Sequence, residues 1–258
     1  MLIIIFDSKL LELSSKFKTM KKFNILLFLF ISFIQSHGIL GQQINPDNKY
    51  IFKKGSYDGI GKWYMGREIA HVMGFQGINW LERQNREKEE NVSNLINNMN
   101  IKSNDIVADI GAGSGYHVFR IAPLANQGFV YAVDIQSEML MEIDKNKKFK
   151  NITNIETIHG SEKSVHLNKN SVDKVLMVDV YHEFNFPLEM MASIKNALKP
   201  NGQLFLIEYR GEDSKVPIKT IHKMTEKQAV LEMKAAGFQL KENMNNLPWQ
   251  HCMIFTKK

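Results

Sequence analysis

Residues Val107–Tyr116 read V-A-D-I-G-A-G-S-G-Y: an apolar run that ends in three alternating glycines. Glycines at this density break both strand and helix, because each carries a large entropic cost in regular structure. They also let the backbone turn sharply and let a ligand lie against bare main chain. A short apolar strand that enters such a turn, with a helix leaving it, is one β-α unit. Such units stack into a parallel sheet with helices on both faces.

The rest of the chain repeats that unit. Val92, Leu95, Ile96 and Met99 recur at helical spacing, within a helical pattern that starts at Leu81. Strands are expected at Ile106–Ile110, Phe129–Val133, Ile152–Ile158, Val172–Val178 and Gln203–Ile207. Helices are expected at Ser114–Leu124, from Ser137 to at least Ile143, and at Pro187–Leu198, with Pro187 in the first turn. Thr225 and Gln228 form a capping box, and Gly237 closes that helix. Phe238–Leu240 and His251–Phe255 read as a terminal strand pair that suggests an antiparallel edge. The expected fold is α/β, doubly wound and mostly parallel, with helices on both faces and an antiparallel C-terminal strand.

Ligands of such sheets bind beyond the carboxyl ends of the strands. The glycine spacing chooses among them. A dinucleotide loop wants its third glycine at the position of Tyr116, whereas here it is Gly115. Asp109 also stands two residues before Gly111, where a carboxylate would repel a pyrophosphate. The pattern therefore favours a cationic ligand without phosphates, such as S-adenosylmethionine with its sulfonium and ammonium groups. The second strand ends in Asp134, 19 residues past Gly115, where a carboxylate can accept hydrogen bonds from both ribose hydroxyls.

Together these stretches resemble the class I S-adenosylmethionine-dependent methyltransferases, over roughly residues 90–257. D-I-G-A-G-S-G is similar to the first motif of that family, and Asp134 matches the acidic end of its second strand. V-D-K-V-L-M-V-D-V-Y-H-E-F resembles its fourth strand and the loop after it. L-K-P-N-G-Q-L-F-L-I-E and A-A-G-F resemble the later elements. The resemblance implies a Rossmann-like sheet of seven strands with S-adenosylmethionine as cofactor. It implies cofactor contacts from Asp109, Gly111, Gly113, Gly115, Asp134 and Asp179. The Gly-Asp pair of the family after the third strand is replaced by Gly160-Ser161-Glu162, so Ser161 and Glu162 are the adenine-side candidates.

Methyl transfer needs alignment of donor and acceptor more than a nucleophile on the enzyme. The loop Asp179–Glu183 faces the transferable methyl in this architecture. His182 is the candidate base, since imidazole titrates near neutrality. Tyr181 is a candidate to stack on adenine or to wall the acceptor pocket, or else it is a core tyrosine. Tyr64–Ala70, with Trp80, Glu82 and Arg83, is either a lid over the cofactor or a helix packed on the sheet.

Charge and cysteine content limit the alternatives. The net charge is +6, of which residues 1–41 hold +3. The remaining +3 is too weak a balance to suggest nucleic acid, so a small-molecule substrate is expected. The single cysteine, Cys252, excludes a disulfide framework and a Cys-rich metal site, and no metal is expected. Residues 1–41 read as a targeting segment. Lys21 and Lys22 precede the apolar run Ile25–Ile34, and Ser36, Gly38 and Gly41 follow it. Export to the periplasm or medium is expected, with Met20 as the true start. The alternatives are a membrane tether through an uncleaved segment, or a cytoplasmic protein. The expected divisions are then the targeting segment at 1–41, a helical lid segment at 42–100 and the catalytic domain at 101–258.

Overall fold

Strand β4 (Ile106–Ile110) is the centre from which the main sheet grows outward. In the computed structural model, which describes residues 49–258, it lies parallel to β5 (Phe129–Asp134) on one side and β7 (Val172–Val178) on the other. Strand β6 (Ile155–His159) extends the sheet beyond β5, and β8 (Leu198–Tyr209) extends it beyond β7. Strand β10 (Gln250–Lys257) pairs antiparallel with both β8 and β9 (Phe238–Asn243). The seven-stranded order is β6-β5-β4-β7-β8-β10-β9. The antiparallel strand is therefore the penultimate one, and β9 is the edge.

Alternation along each strand builds two cores. Ala108, Val175, Leu206 and Met253 face one side, packed under helices α6 (Pro187–Ala197) and α7 (Glu226–Ala235). Val107, Leu176, Phe205 and Ile254 face the other. That second face is covered by α3 (Val92–Asn98), α4 (Val118–Ile121) and α5 (Ser137–Phe149). A sheet buried on both faces is what near-continuous apolar strands require.

Several boundaries differ from the sequence expectation. Ser114–Leu124 contains only the short helix α4, because Gly115 takes φ +82° and the chain turns before it winds. The helical pattern from Leu81 is three pieces: α1 (Ile78–Leu81), α2 (Arg86–Glu90) and α3. Asn91, at φ +50°, breaks the last two apart, and its side chain caps α3. The capping box at Thr225 is half formed. Thr225 Oγ1 accepts from the Gln228 amide at 3.1 Å, but the Gln228 side chain donates to Met65 O and Glu232 instead.

The largest correction concerns the expected helical lid. Strands β1 (Ile51–Phe52), β2 (Gly59–Tyr64) and β3 (Arg67–Ala70) form a separate antiparallel sheet. Met65 and Gly66 both have positive φ, the geometry of a two-residue hairpin turn. Tyr50, Tyr64 and Ile69 make its small core, with Phe186 and Leu188 against it. The targeting segment and the Met20 start lie outside the described residues. No helix among the described residues is long and apolar enough to cross a membrane.

Candidate functional site

The carboxyl ends of β4, β5, β6 and β7 open into one cavity of about 500 Å³. Parallel strands place their loops at this end, so residues far apart in sequence meet there. The cavity takes Gly111 and Gly113 from the glycine loop, Asp134 from β5, and Ser161 and Glu162 from the turn after β6. Asp179, His182 and Glu183 come from the loop after β7. Arg83, Arg86 and Glu90 close it from the α1–α2 region.

The glycine loop is held by Asp134. Its Oδ2 accepts from the Gly113 amide and its Oδ1 from the Gln136 amide, both at 2.9 Å. Burial raises the carboxyl pKa, and these backbone amides oppose that rise. Gly113 takes φ +53°, and a Cβ there would lie 2.6 Å from Leu81 Cδ1 of α1. Space above the loop is thus shared between α1 and whatever enters the cavity.

Asp109 and Gly115 do not line the cavity. Asp109 is buried on the α3–α5 face of β4, and its Oδ2 has no hydrogen-bond partner. Burial pushes its pKa up to about 7, with the Arg86 charge opposing and Asp134 adding. A Cβ on Gly115 would meet Phe119 and Ile143, so this glycine serves packing of the loop on its helices.

Asp179 follows β7 in the left-handed region, at φ +50°. Aspartate tolerates that conformation better than most residues, and here it carries the chain off the sheet and over the cavity. Oδ2 accepts from Gln250 Nε2 at 2.6 Å, while Oδ1 is buried without a partner. Burial, with Glu90 and Glu208 nearby, holds its pKa well above the carboxylate range.

Beyond Asp179 a short 3-10 turn, Tyr181–Glu183, sets two side chains in opposite roles. Tyr181 is fully buried in the core and does not reach the cavity; its hydroxyl donates to Glu232 at 2.8 Å. Of the placements expected for Tyr181, the structure has the core one; adenine stacking and pocket walling are corrected. A buried glutamate next to it captured the hydroxyl. His182 does line the cavity. Its Nδ1 lies 2.6 Å from Glu208 Oε2, and its Nε2 lies 3.1 Å from Nδ1 of His222. Burial alone would lower the His182 pKa, but the Glu208 and Glu183 carboxylates outweigh it and the net shift is upward. His222 is pushed down to about 4 by burial and by His182. Glu183 is raised by burial to about 7.

The hairpin locks this turn in place. Arg67 of β3 donates to the His182 carbonyl at 3.0 Å and forms a two-point pair with buried Glu232. Glu162 accepts from Asn185 at 2.9 Å, at the rim of the cavity. Ser114 donates to Glu82 at 2.5 Å, which ties the glycine loop to the end of α1.

Glu208, His222 and the Arg67 anchor were not among the sequence candidates. Glu208 sits at the end of β8, next in the sheet to the strand that delivers His182. A carboxylate at the end of a parallel strand was the signal that could have found it. His222 lies on an isolated 3-10 turn between β8 and α7, with no periodicity to mark it.

A family model described as a methyltransferase domain matches residues 101–252. An uncharacterised methyltransferase of Bacillus subtilis is 28% identical over 144 residues, 56% of this chain and 77% of that protein. A ubiquinone/menaquinone biosynthesis C-methyltransferase of Wigglesworthia glossinidia brevipalpis is 31% identical over 107 residues. That match covers 40% of this chain and 42% of the relative. The match therefore spans most of the first relative and less than half of the second. Among solved structures, a SAM-dependent methyltransferase from Aquifex aeolicus superposes with a TM-score of 0.67 at 21% identity, over 71% of this chain and 98% of that one. The cyclase SpnF shares the fold as well, with a TM-score of 0.53 at 16% identity, over 59% of this chain and 57% of that one. Fold alone does not choose a reaction. The matched domain, the sheet order and the glycine loop agree: this chain belongs to the methyltransferase-domain family and has the class I S-adenosylmethionine-dependent methyltransferase fold.

Proposed function

We propose that this chain transfers a methyl group from S-adenosylmethionine to a small-molecule acceptor bound at the His182 end of the cavity. The observation that carries the reading is the pairing, in one cavity, of the Gly113–Asp134 loop with the orphaned Oδ1 of Asp179. A buried carboxylate oxygen without a donor suits a cationic ligand, which would draw Asp179 into its ionised form. S-adenosylmethionine, when bound, supplies a methyl on a positively charged sulfur that leaves as a neutral thioether.

The chain's own residues supply alignment and proton handling. Asp134 offers its carboxylate to ribose hydroxyls while holding the loop on which the ligand lies. Glu208 fixes the His182 ring with hydrogen on Nδ1, which leaves the Nε2 lone pair on the cavity side, where an acceptor hydroxyl takes the place of His222 Nδ1, now 3.1 Å away. That nitrogen takes the proton of an acceptor hydroxyl as the new bond to the methyl forms. Such base assistance is worth ~10²–10⁴-fold.

A small acceptor is favoured over nucleic acid by charge. Among the described residues, five carboxylates line the cavity against three Lys or Arg side chains. With Asp179 held protonated and Glu183 titrating at about 7, the remaining charges come close to balance, so the cavity lacks the basic excess that a phosphate backbone requires. The test is incubation of the full chain with methyl-labelled donor and panels of small hydroxyl, thiol and amine compounds. Label should pass to one class of acceptor and fall at least a hundredfold in His182→Gln. Binding of the donor without transfer to any panel member would favour the alternative, a non-catalytic adenosine-ligand-binding domain.

A further inference from the structure

Three potential ligand atoms converge at the acceptor end of the cavity. His182 Nε2 and His222 Nδ1 are 3.1 Å apart, and Glu183 Oε1 lies 3.9 Å from the first and 3.8 Å from the second. We infer that His182, Glu183 and His222 form a binding site for one divalent transition-metal ion. What the ion would do there rests on the methyl-transfer reading; that it binds does not.

The geometry is close to what a cation needs. Two ligands each ~2.1 Å from a metal stand ~3.0–3.4 Å apart in octahedral or tetrahedral sites. The histidine pair already meets that spacing. Glu183 must close by under ~1 Å, a movement within reach of a carboxylate on a flexible stem. His182 and Glu183 come from one 3-10 turn, and His222 from another within the segment between β8 and α7.

The surroundings match a metal-binding histidine. Metal-bound imidazoles almost always donate their second N–H to a carboxylate or carbonyl, which fixes ring and tautomer. Glu208, fully buried, holds that position behind His182 at 2.6 Å. Glu183 is steadied by the Met73 amide, which donates to Oε1 at 3.2 Å. Two imidazoles and one carboxylate suit zinc, iron, cobalt, nickel or manganese better than magnesium or calcium.

All three residues line the cavity, so further coordination positions face the acceptor. A bound zinc ion can lower the pKa of its water from ~16 to ~7, and other divalent transition metals lower it by less. A hydroxyl acceptor held there would release its proton to solvent, and His182 would then act as ligand in place of base. The competing arrangement is a plain hydrogen bond from His222 to His182, with Glu183 a bystander.

Cobalt(II) separates the two. The untagged full chain is dialysed against Co²⁺, then against metal-free buffer, and read by visible absorption and metal analysis. One Co²⁺ per chain with a d–d band is expected. In His222→Ala and in Glu183→Gln the affinity should fall at least tenfold, with an unchanged circular dichroism spectrum. His222 is partly exposed, so its alanine variant should fold. S-adenosylmethionine affinity, measured on the same His222→Ala sample, should persist. No cobalt band, or a band of equal strength in folded His222→Ala, overturns the metal site and leaves the methyl-transfer reading standing. Loss of donor binding in wild type overturns that reading and leaves the metal site standing.

Discussion

Glu208 Oε2 lies 2.6 Å from Nδ1 of His182, and both side chains are buried between β8 and the turn after β7. The pair orders the acceptor end of the cavity. Glu208 also accepts from the His182 amide at 3.2 Å, so one carboxylate holds both the ring and the backbone that carries it.

The pair predicts a titration. Burial lowers the His182 pKa and the carboxylates raise it by more, so the ring should titrate above 6.5, while His222 titrates near 4. Histidine-ring NMR should find His182 as the Nδ1–H tautomer when neutral. In Glu208→Gln the burial effect remains and the main opposing charge is gone, so the midpoint should drop below 6.5. The stabilisation from the pair is complete below pH 6.5 and lost as pH rises through the raised folded pKa. The stability gap between wild type and Glu208→Gln should narrow across that same range. A midpoint that is unmoved in the variant would remove Glu208 from this role.

Asp134 carries two jobs, and its removal should show both. Losing acceptors for ribose hydroxyls should weaken donor binding tenfold or more, since ~1.4 kcal/mol is one decade. Losing the bonds to the Gly113 and Gln136 amides should also cost ~1–3 kcal/mol of stability, because buried N–H groups are left without partners. Calorimetry and thermal melts of Asp134→Ala and Asp134→Asn check this, with the amide variant intermediate in both.

Gly113 predicts a loss of binding in a folded protein. At φ +53° any side chain is strained, and a Cβ would press on Leu81 Cδ1 at 2.6 Å. Leucine tips can yield, so the domain should survive Gly113→Val with a lowered melting temperature. The branched side chain should nonetheless abolish donor binding by filling the space over the loop. Retained affinity in the folded variant would place the cofactor elsewhere.

Asp109 predicts a stability effect of the opposite sign. Its folded pKa of about 7 lies above the ordinary 3.8, so the folded state holds the proton more tightly. Stability from this group therefore falls as pH rises from about 4 to about 7. Asp109→Asn should melt higher than wild type at pH 7.5, and the advantage should vanish near pH 4. Unchanged melting at both values would mean that Arg86 fully compensates the charge.

The fold was legible where period and punctuation agree. Val172–Val178 and Ile106–Ile110 are mostly apolar and rich in β-branched residues, and the strands occupy those spans. That Gly111, Gly113 and Asp134 meet at one cavity was legible, because a glycine loop and a strand-end carboxylate lie at the carboxyl ends of adjacent parallel strands. The hairpin at Gly59–Ala70 was not, because its strands are short and its turn is Met65-Gly66 in place of the usual Asn-Gly. Tyr181 and His182 are adjacent in sequence, and pattern alone could not say which faces the cavity. The two-histidine cluster was illegible for another reason. It joins residues 40 positions apart through a loop with no periodic signal, and only the strand order brings Glu208 behind it.

The proposed chemistry of the cavity depends first on which ligand the glycine loop accepts. Calorimetric titration of the full chain with S-adenosylmethionine, its demethylated product and NAD tests that directly. Saturable binding of both sulfur nucleosides at one site per chain, lost in Gly113→Val, with no heat from NAD, is the predicted result. Binding of NAD, or binding of neither sulfur nucleoside by the folded protein, would contradict it.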